Sequence, residues 1–318
     1  MKTINNYINM KHINTYIVEK LKISKNKRTE YTLFPKYREE LIDMITKEIQ
    51  RNGNECSLNH IDVSKLKSLE GIFSMTSLKN FDGDISDWDV SNVEDMSIMF
   101  ARCHFSGKNS DLSNWDVSNV KSMGGMFQHN KYFNSDSISM WDTSSVENMR
   151  YMFYSSVFNQ DINSWDVSSV EAFNYMFAES KFNQPLDNWD VSNVKSMFSM
   201  FKWNKYFNQN INDWDVSNVE DMSHMFEESI FNQPLNDWDV SNVRDIAMMF
   251  YKSIFNQPLN NWKVSKVNDM YCAFLSDKEF NQDISMWKIN PNCKTSSMFS
   301  QCKIKEEYKP LQNDKRIE

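Results

Sequence analysis

FNQPLNDWDVSNVRDIAMMF, residues 231–250, decides how the chain is built, because nearly the same words stand at 182–201 (FNQPLDNWDVSNVKSMFSMF) and 255–274 (FNQPLNNWKVSKVNDMYCAF). Anchored on tryptophan, the copies fall at Trp88, Trp115, Trp141, Trp165, Trp189, Trp214, Trp238, Trp262 and Trp287. The spacings are 27, 26, 24, 24, 25, 24, 24 and 25 residues. A tenth, degenerate copy at 61–73, IDVSKLKSLEGIF, puts Ile61 in the tryptophan slot. A fixed period of this length marks a repeat architecture: one unit cannot bury its own apolar face, and stacked units share a core.

Within 231–250 the apolar slots are Phe231, Leu235, Trp238, Val240, Val243, Ile246, Met249 and Phe250. Trp238 and Val240 alternate about Asp239, the period of a short strand. Val243, Ile246, Met249 and Phe250 then share one face of a short helix. The switch falls at serine. Ser91-Asn92-Val93-Glu94, Ser144-Ser145-Val146-Glu147, Ser168-Ser169-Val170-Glu171 and Ser217-Asn218-Val219-Glu220 all read as capping boxes. FNQP and FNQD supply return turns. The expected fold is an α/β repeat, a leucine-rich-repeat-like solenoid with one short parallel strand and one short helix per coil of 24–27 residues. With strands about 4.8 Å apart, ten coils make a rod roughly 45–50 Å long. The Trp, Val, Met and Phe slots become side-chain columns. The Met columns (Met96, Met123, Met149; Met99, Met126, Met152) read as core filler rather than a cofactor box, since no Cys or His stands at ligand spacing.

Three parts follow: a leader and helical cap at 1–60, the array at 61–299, and a polar tail at 300–318. In the leader, Leu41, Ile45 and Ile49 lie four apart between Pro35 and Gly53, so a helix near 36–51 covers the first coil. A second helix near 13–22 and a linker at 23–32 precede it. The first 60 residues hold 11 Lys and Arg against 7 Asp and Glu; the remainder holds 24 against 36. The repeats are therefore acidic, and nucleic acid is not an expected partner for them. The basic run KLKISKNKR at 20–28 suits an acidic surface or a solvated linker.

No run approaches the ~18 apolar residues of a membrane span. The start MKTINNYINM lacks the apolar core of a secretory signal, so the expectation from it is an intracellular chain. Five cysteines (Cys56, Cys103, Cys272, Cys293 and Cys302) without a CxxC indicate neither a disulfide framework nor a zinc site. The five histidines are dispersed, and no nucleophile–base–acid set or phosphate loop is present, so no enzyme and no cofactor are expected.

Trp-Asp invites a WD40 reading, but that repeat runs ~40–45 residues with a Gly-His partner, and neither feature is here. The period lies in the ~20–29 range of leucine-rich repeats. FNQDINSWDVSSVEAFNYMF, 158–177, and its siblings resemble the BspA-like leucine-rich-repeat proteins, which share the repeat of mycoplasma-type lipoproteins. The leader YTLFPKYREELIDMITKEIQRNGNECSLNHIDVS, 31–64, is similar to segments that precede such arrays. The resemblance implies a surface-attached, adhesive or protein-binding module, mostly without known activity. The chain has no lipobox cysteine of the surface members.

Two groups of residues are candidates for function. Asp89, Asp116, Asp142, Asp166, Asp190, Asp215 and Asp239 follow the tryptophans as one outward stripe, ended by Lys263 and Lys288. Like charges at strand spacing repel. The stripe therefore reads either as a cation site, calcium suiting carboxylate oxygens, or as aspartates bonded to local backbone and serines. The second group lies on the helix face opposite the core, where the residue changes most: Ile98, Gly125, Tyr151, Tyr175, Ser199, His224, Met248, Cys272. Tyr151, Tyr154, Tyr175, Trp203 and Tyr206 form a candidate aromatic patch for a protein partner. The expected function is a monomeric, non-enzymatic protein-interaction or adhesion module. The alternative is an intracellular scaffold or effector whose acidic repeats bind a basic partner.

Overall fold

The computed structural model describes residues 30–318. The helix expected at 13–22 and most of the linker expected at 23–32 lie outside the described residues. Among the described residues there is one α-helix, α1 (Arg38–Asn52), and one antiparallel pair of two-residue strands, β1 (Leu311–Gln312) and β2 (Lys315–Arg316). The repeats lie between them and are built from turns.

The repeat backbone is tied copy to copy. From Met96, every second N–H donates to the following copy: Met96 to Ser122 O, Ile98 to Gly124 O, Phe100 to Met126 O and Arg102 to Gln128 O, at 2.8–2.9 Å. The residues between close turns within their own copy, Met99 N–H onto Met96 O and Ala101 N–H onto Ile98 O. The alternation returns at Met197, Ser199, Phe201 and Trp203, which donate to Asp221, Ser223, Met225 and Glu227. Isolated parallel bridges, Asp95↔Ser122, Ser196↔Asp221 and Asp245↔Asp269 among them, mark where neighbouring copies run side by side.

The capped helix expected after each serine is replaced by this pattern. An α-helix takes every N–H into its own ladder, and a helix of two turns is unstable alone. Here the same N–H groups find the next copy instead, which satisfies them equally well. Two residues four apart in each copy turn left-handed, Ile98 and Arg102 (φ 49° and 56°), Tyr175 and Glu179 (58° and 54°), Met248 and Lys252 (55° and 50°). A right-handed helix cannot pass through them. The expected capping box is likewise spent otherwise. Ser91 N–H and Oγ–H both donate to Asp89 Oδ1, at 3.1 and 2.6 Å. Glu94 N–H donates to Lys67 O of the preceding copy, and its carboxylate meets Lys67 Nζ at 2.9 Å. The Trp-Asp-Val stretch carries no ladder of its own; the parallel contact comes a few residues later, at the Asp95 position.

The core explains the spelling of the repeat. Each of the nine tryptophans of the repeat slot is buried, and its Nε1–H donates to a carbonyl of the preceding copy, as Trp189 does to Ile162 O at 3.1 Å and Trp238 to Ile211 O at 3.0 Å. Phenylalanine at this slot fills volume but cannot make that link. Two phenylalanine columns stack side by side: Phe201 lies 4.0 Å from Phe207, which opens the next copy, and 5.8 Å from Phe226, which closes it. The methionine columns are fully buried among them. The Asn of FNQ forms a ladder on the edge, Asn183 N–H onto Asn159 Oδ1, Asn208 onto Asn183, Asn232 onto Asn208 and Asn256 onto Asn232, at 2.8–3.0 Å. The following glutamine reaches the same asparagine, as Gln184 Nε2–H does to Asn159 O.

Both ends are covered. Helix α1 buries Leu41 and Ile45 against the first copy and stops at Gly53, φ 84°. The chain before it pairs Leu33 with Ile61 in parallel. At the other end the residues expected as a polar tail fold back. Gln312 Nε2–H donates to Asn290 O and Cys293 O at 3.0 and 2.8 Å, Phe299 N–H donates to Glu318 O, and Ile304 and Ile317 are buried. A tight contact near the N-terminal end gives a test. A Cβ on Gly83 would stand 2.0 Å from the Cys56 carbonyl oxygen and 2.7 Å from the Phe81 ring. Gly83→Ala should cost about 1–3 kcal/mol of overpacking and lower the melting temperature by several degrees; an unchanged melting temperature contradicts this packing.

Candidate functional site

The column predicted to vary is the column of left-handed residues: Ile98, Gly125, Tyr151, Tyr175, Ser199, His224, Met248 and Cys272 all have φ between 49° and 62°, but it is outward only in part, since Gly125, Ser199 and Cys272 are buried. Their backbone N–H groups point into the next copy. At the middle of the column Tyr151 and Tyr175 stack at 4.7 Å and 11°. Tyr154 stands edge-on to both, at 5.9 Å and 82° and at 6.0 Å and 72°. His129 meets Tyr154 at 4.9 Å on one side. On the other, Phe198 stands against Tyr175 at 5.1 Å and His224 against Phe198 at 5.5 Å. A continuous aromatic strip thus crosses five copies.

The hydroxyl of Tyr154 donates to Glu179 Oε1 at 3.2 Å. Burial, with Tyr175 nearby, raises the Tyr151 phenol, and burial with the Glu179 charge raises Tyr154, so both remain O–H donors. Burial and the charges of Arg102 and Lys131 lower His129 and keep it neutral. Beyond the strip, Glu227 is buried between His224 Nδ1 at 2.5 Å and Lys202 Nζ at 2.9 Å. Burial alone would raise this carboxyl, but the hydrogen bonds from His224 and Lys202 win and lower it.

Of the five aromatics expected in one patch, the structure brings together Tyr151, Tyr154 and Tyr175. Trp203 carries Lys202 Nζ over its ring at 4.4 Å. Tyr206 lies in a return loop, its N–H bonded to Asn204 Oδ1 at 2.9 Å. Neither has a ring contact with the tyrosines among the described residues. The sequence reading missed Phe198, His129 and Glu179. Phe198 shares its slot with Ser97, Gly124, Arg150, Asn174, Ser223, Ala247 and Tyr271, and the letters alone do not single it out.

The aspartate stripe is exposed, and each Oδ1 closes a turn on its own copy, from Ser91 on Asp89, Ser118 on Asp116, Ser144 on Asp142 and Ser168 on Asp166. Asp190, Asp215 and Asp239 accept from Ser192, Ser217 and Ser241 in the same way. These serine bonds hold the Asp190 and Asp239 carboxyls below the usual range. Among the described residues no group of three or more His, Cys, Asp or Glu is arranged to hold a metal ion. All five cysteines are free thiols; burial pushes Cys103 up to about 12 and Cys293 and Cys302 to about 11. Among the described residues no helix is long and apolar enough to cross a membrane.

Comparison with known proteins gives a family and nothing narrower. No curated protein and no solved structure matches the chain. A family model described as Mycoplasma protein of unknown function, DUF285, matches residues 42–137, 99–214, 156–254 and 200–310, overlapping spans that cover the repeats and α1 from residue 42 on, and the chain belongs to that family.

Proposed function

We propose that this DUF285 chain is a leucine-rich-repeat-like solenoid of the BspA-like kind, acting as a non-enzymatic protein-binding or adhesion module through its aromatic strip. One observation carries the reading: the column that varies from copy to copy stacks Tyr151 on Tyr175, Tyr154 beside it packs edge-on to both, and Tyr151 is 37 % exposed. Every other apolar column is buried and nearly invariant between copies, so it serves the stack. Aromatics on a rigid frame suit the few residues that dominate a protein interface. The array can lose outward rings without losing its core.

Tyr151→Ala with Tyr175→Ala should leave the melting temperature within a few degrees of the parent. Partners cross-linked to the chain in its native cells should include at least one that the double variant loses. A double variant that keeps every partner overturns the reading.

A further inference from the structure

We propose that the Tyr151–Tyr154–Tyr175 cluster, together with Glu179, receives the cationic side chain of a basic peptide segment in the partner; this rests on the protein-binding reading above and names its chemistry. The chain contains its own comparison. Two outward aromatics in later copies already hold a lysine, with Lys202 Nζ 4.4 Å from the Trp203 ring and Lys252 Nζ 4.9 Å from the Tyr251 ring. Lys202 stands three residues beyond the left-handed Ser199 and Lys252 four beyond Met248; the copy-equivalents of Lys252 are Ser155, buried and bonded to Lys131 Nζ, and Glu179 beside Tyr175. Where one later copy places Lys252, the copy of Tyr175 places the carboxylate of Glu179. No Lys or Arg of the described residues lies over these three rings.

The geometry suits an incoming guanidinium or ammonium. Tyr154 meets the stacked pair Tyr151 and Tyr175 at near right angles, and a cation is drawn to the negative face of such rings. Glu179 is exposed, is fixed by the Tyr154 hydroxyl, and enters no ion pair among the described residues. A carboxylate beside aromatic rings adds charge and direction to that attraction. The local cations are Arg150 near Tyr151, and Arg102 and Lys131 near His129. Lys131 is already engaged, donating to the Ser155 carbonyl. The surplus of acids over bases beyond residue 60, 36 against 24, favours approach of a basic segment.

The test uses the full chain and four labelled 12-residue peptides on one neutral scaffold, carrying two arginines, two lysines, two glutamines or two glutamates at the centre. Fluorescence anisotropy at physiological salt reads the affinities. The arginine and lysine peptides should bind about tenfold tighter than the glutamine peptide. Glu179→Gln should weaken them several-fold without moving the melting temperature, and Tyr151→Ala with Tyr175→Ala should remove the preference. Arginine and lysine peptides that fail to bind, or that bind equally to all variants, overturn the proposal. If the glutamine or glutamate peptide binds as tightly and the tyrosine variant abolishes it, the cation inference fails while the aromatic surface stands. If no peptide responds to the tyrosines, both fail.

Discussion

Trp189→Ala should be among the most damaging single substitutions in the chain. Trp189 is 3 % exposed and packs against Phe173 at 5.3 Å and Phe177 at 6.1 Å. Truncating a buried aromatic of this size costs about 3–5 kcal/mol. The substitution also strips the Ile162 carbonyl of its Nε1–H donor, at about 1–3 kcal/mol for a buried group left unmade. In a stack whose copies contact only their neighbours, such a loss in the middle weakens the coupling between the halves. The expected readout is a melting curve shifted down by many degrees and broadened or split. Trp189→Phe separates the two terms in large part: it keeps most of the apolar area and loses the link with a small volume, so its cost should be about 1–3 kcal/mol, below that of alanine. A melting temperature unmoved by alanine contradicts the core assignment.

The second large effect runs the other way. Asp277 is fully buried, and burial pushes its carboxyl up from 3.8 to about 6, against hydrogen bonds from Ser253 Oγ and from the Glu279 and Phe280 N–H groups. For an acid raised in the folded state, the folded chain holds the proton longer than the unfolded one. Stability therefore falls as pH rises from about 4 through 6 and stays reduced at neutral pH. A rise of that size corresponds to roughly 3 kcal/mol. Two other copies show the remedy. Asn130 and Asn204 occupy the same fully buried slot, accept from the same two loop N–H groups, and use Nδ2–H on carbonyls of the copy before, Asn204 on Phe177 O and Phe182 O. Asp277→Asn should raise stability at pH 7 by about 1–3 kcal/mol, and the gain should vanish near pH 3. A variant no more stable than the parent at pH 7 contradicts the buried, ionised state of Asp277.

That slot also shows what was legible. The copies with Ser156, Ser180, Ser229 and Ser253 span 24 residues between tryptophans, those with Asn204 and Asp277 span 25, and that with Asn130 spans 26. The longer side chain caps the extra loop residue through its Oδ1. Repeat length and residue type thus encode one fact that could be read from the letters. The buried slots were equally plain, because Trp, Val, Met and Phe recur in register and all are buried. The local conformation was not. Val243, Ile246 and Met249 at intervals of three fit a helix, but they fit equally a chain of turns with left-handed residues between, and only bonds to the next copy distinguish the two. FNQ reads as a turn from composition; that its asparagines hold one another across copies is a property of the stack alone. The aromatic site was half legible, since Tyr151, Tyr154 and Tyr175 lie close in copy position, whereas Glu179 acquires meaning only beside the Tyr154 hydroxyl.

The claim beneath all of this is that the copies lie one on the next, with the left-handed residues bonded through their backbone to the following copy. Residue-resolved amide exchange tests it most directly at Tyr175, Ser199, His224 and Met248, whose N–H groups donate to Phe198, Ser223, Ala247 and Tyr271 at 2.8–3.0 Å. The account predicts slow exchange at all four, opening only with large-scale unfolding of the array. Exchange at the rate of free loops would contradict the stacking.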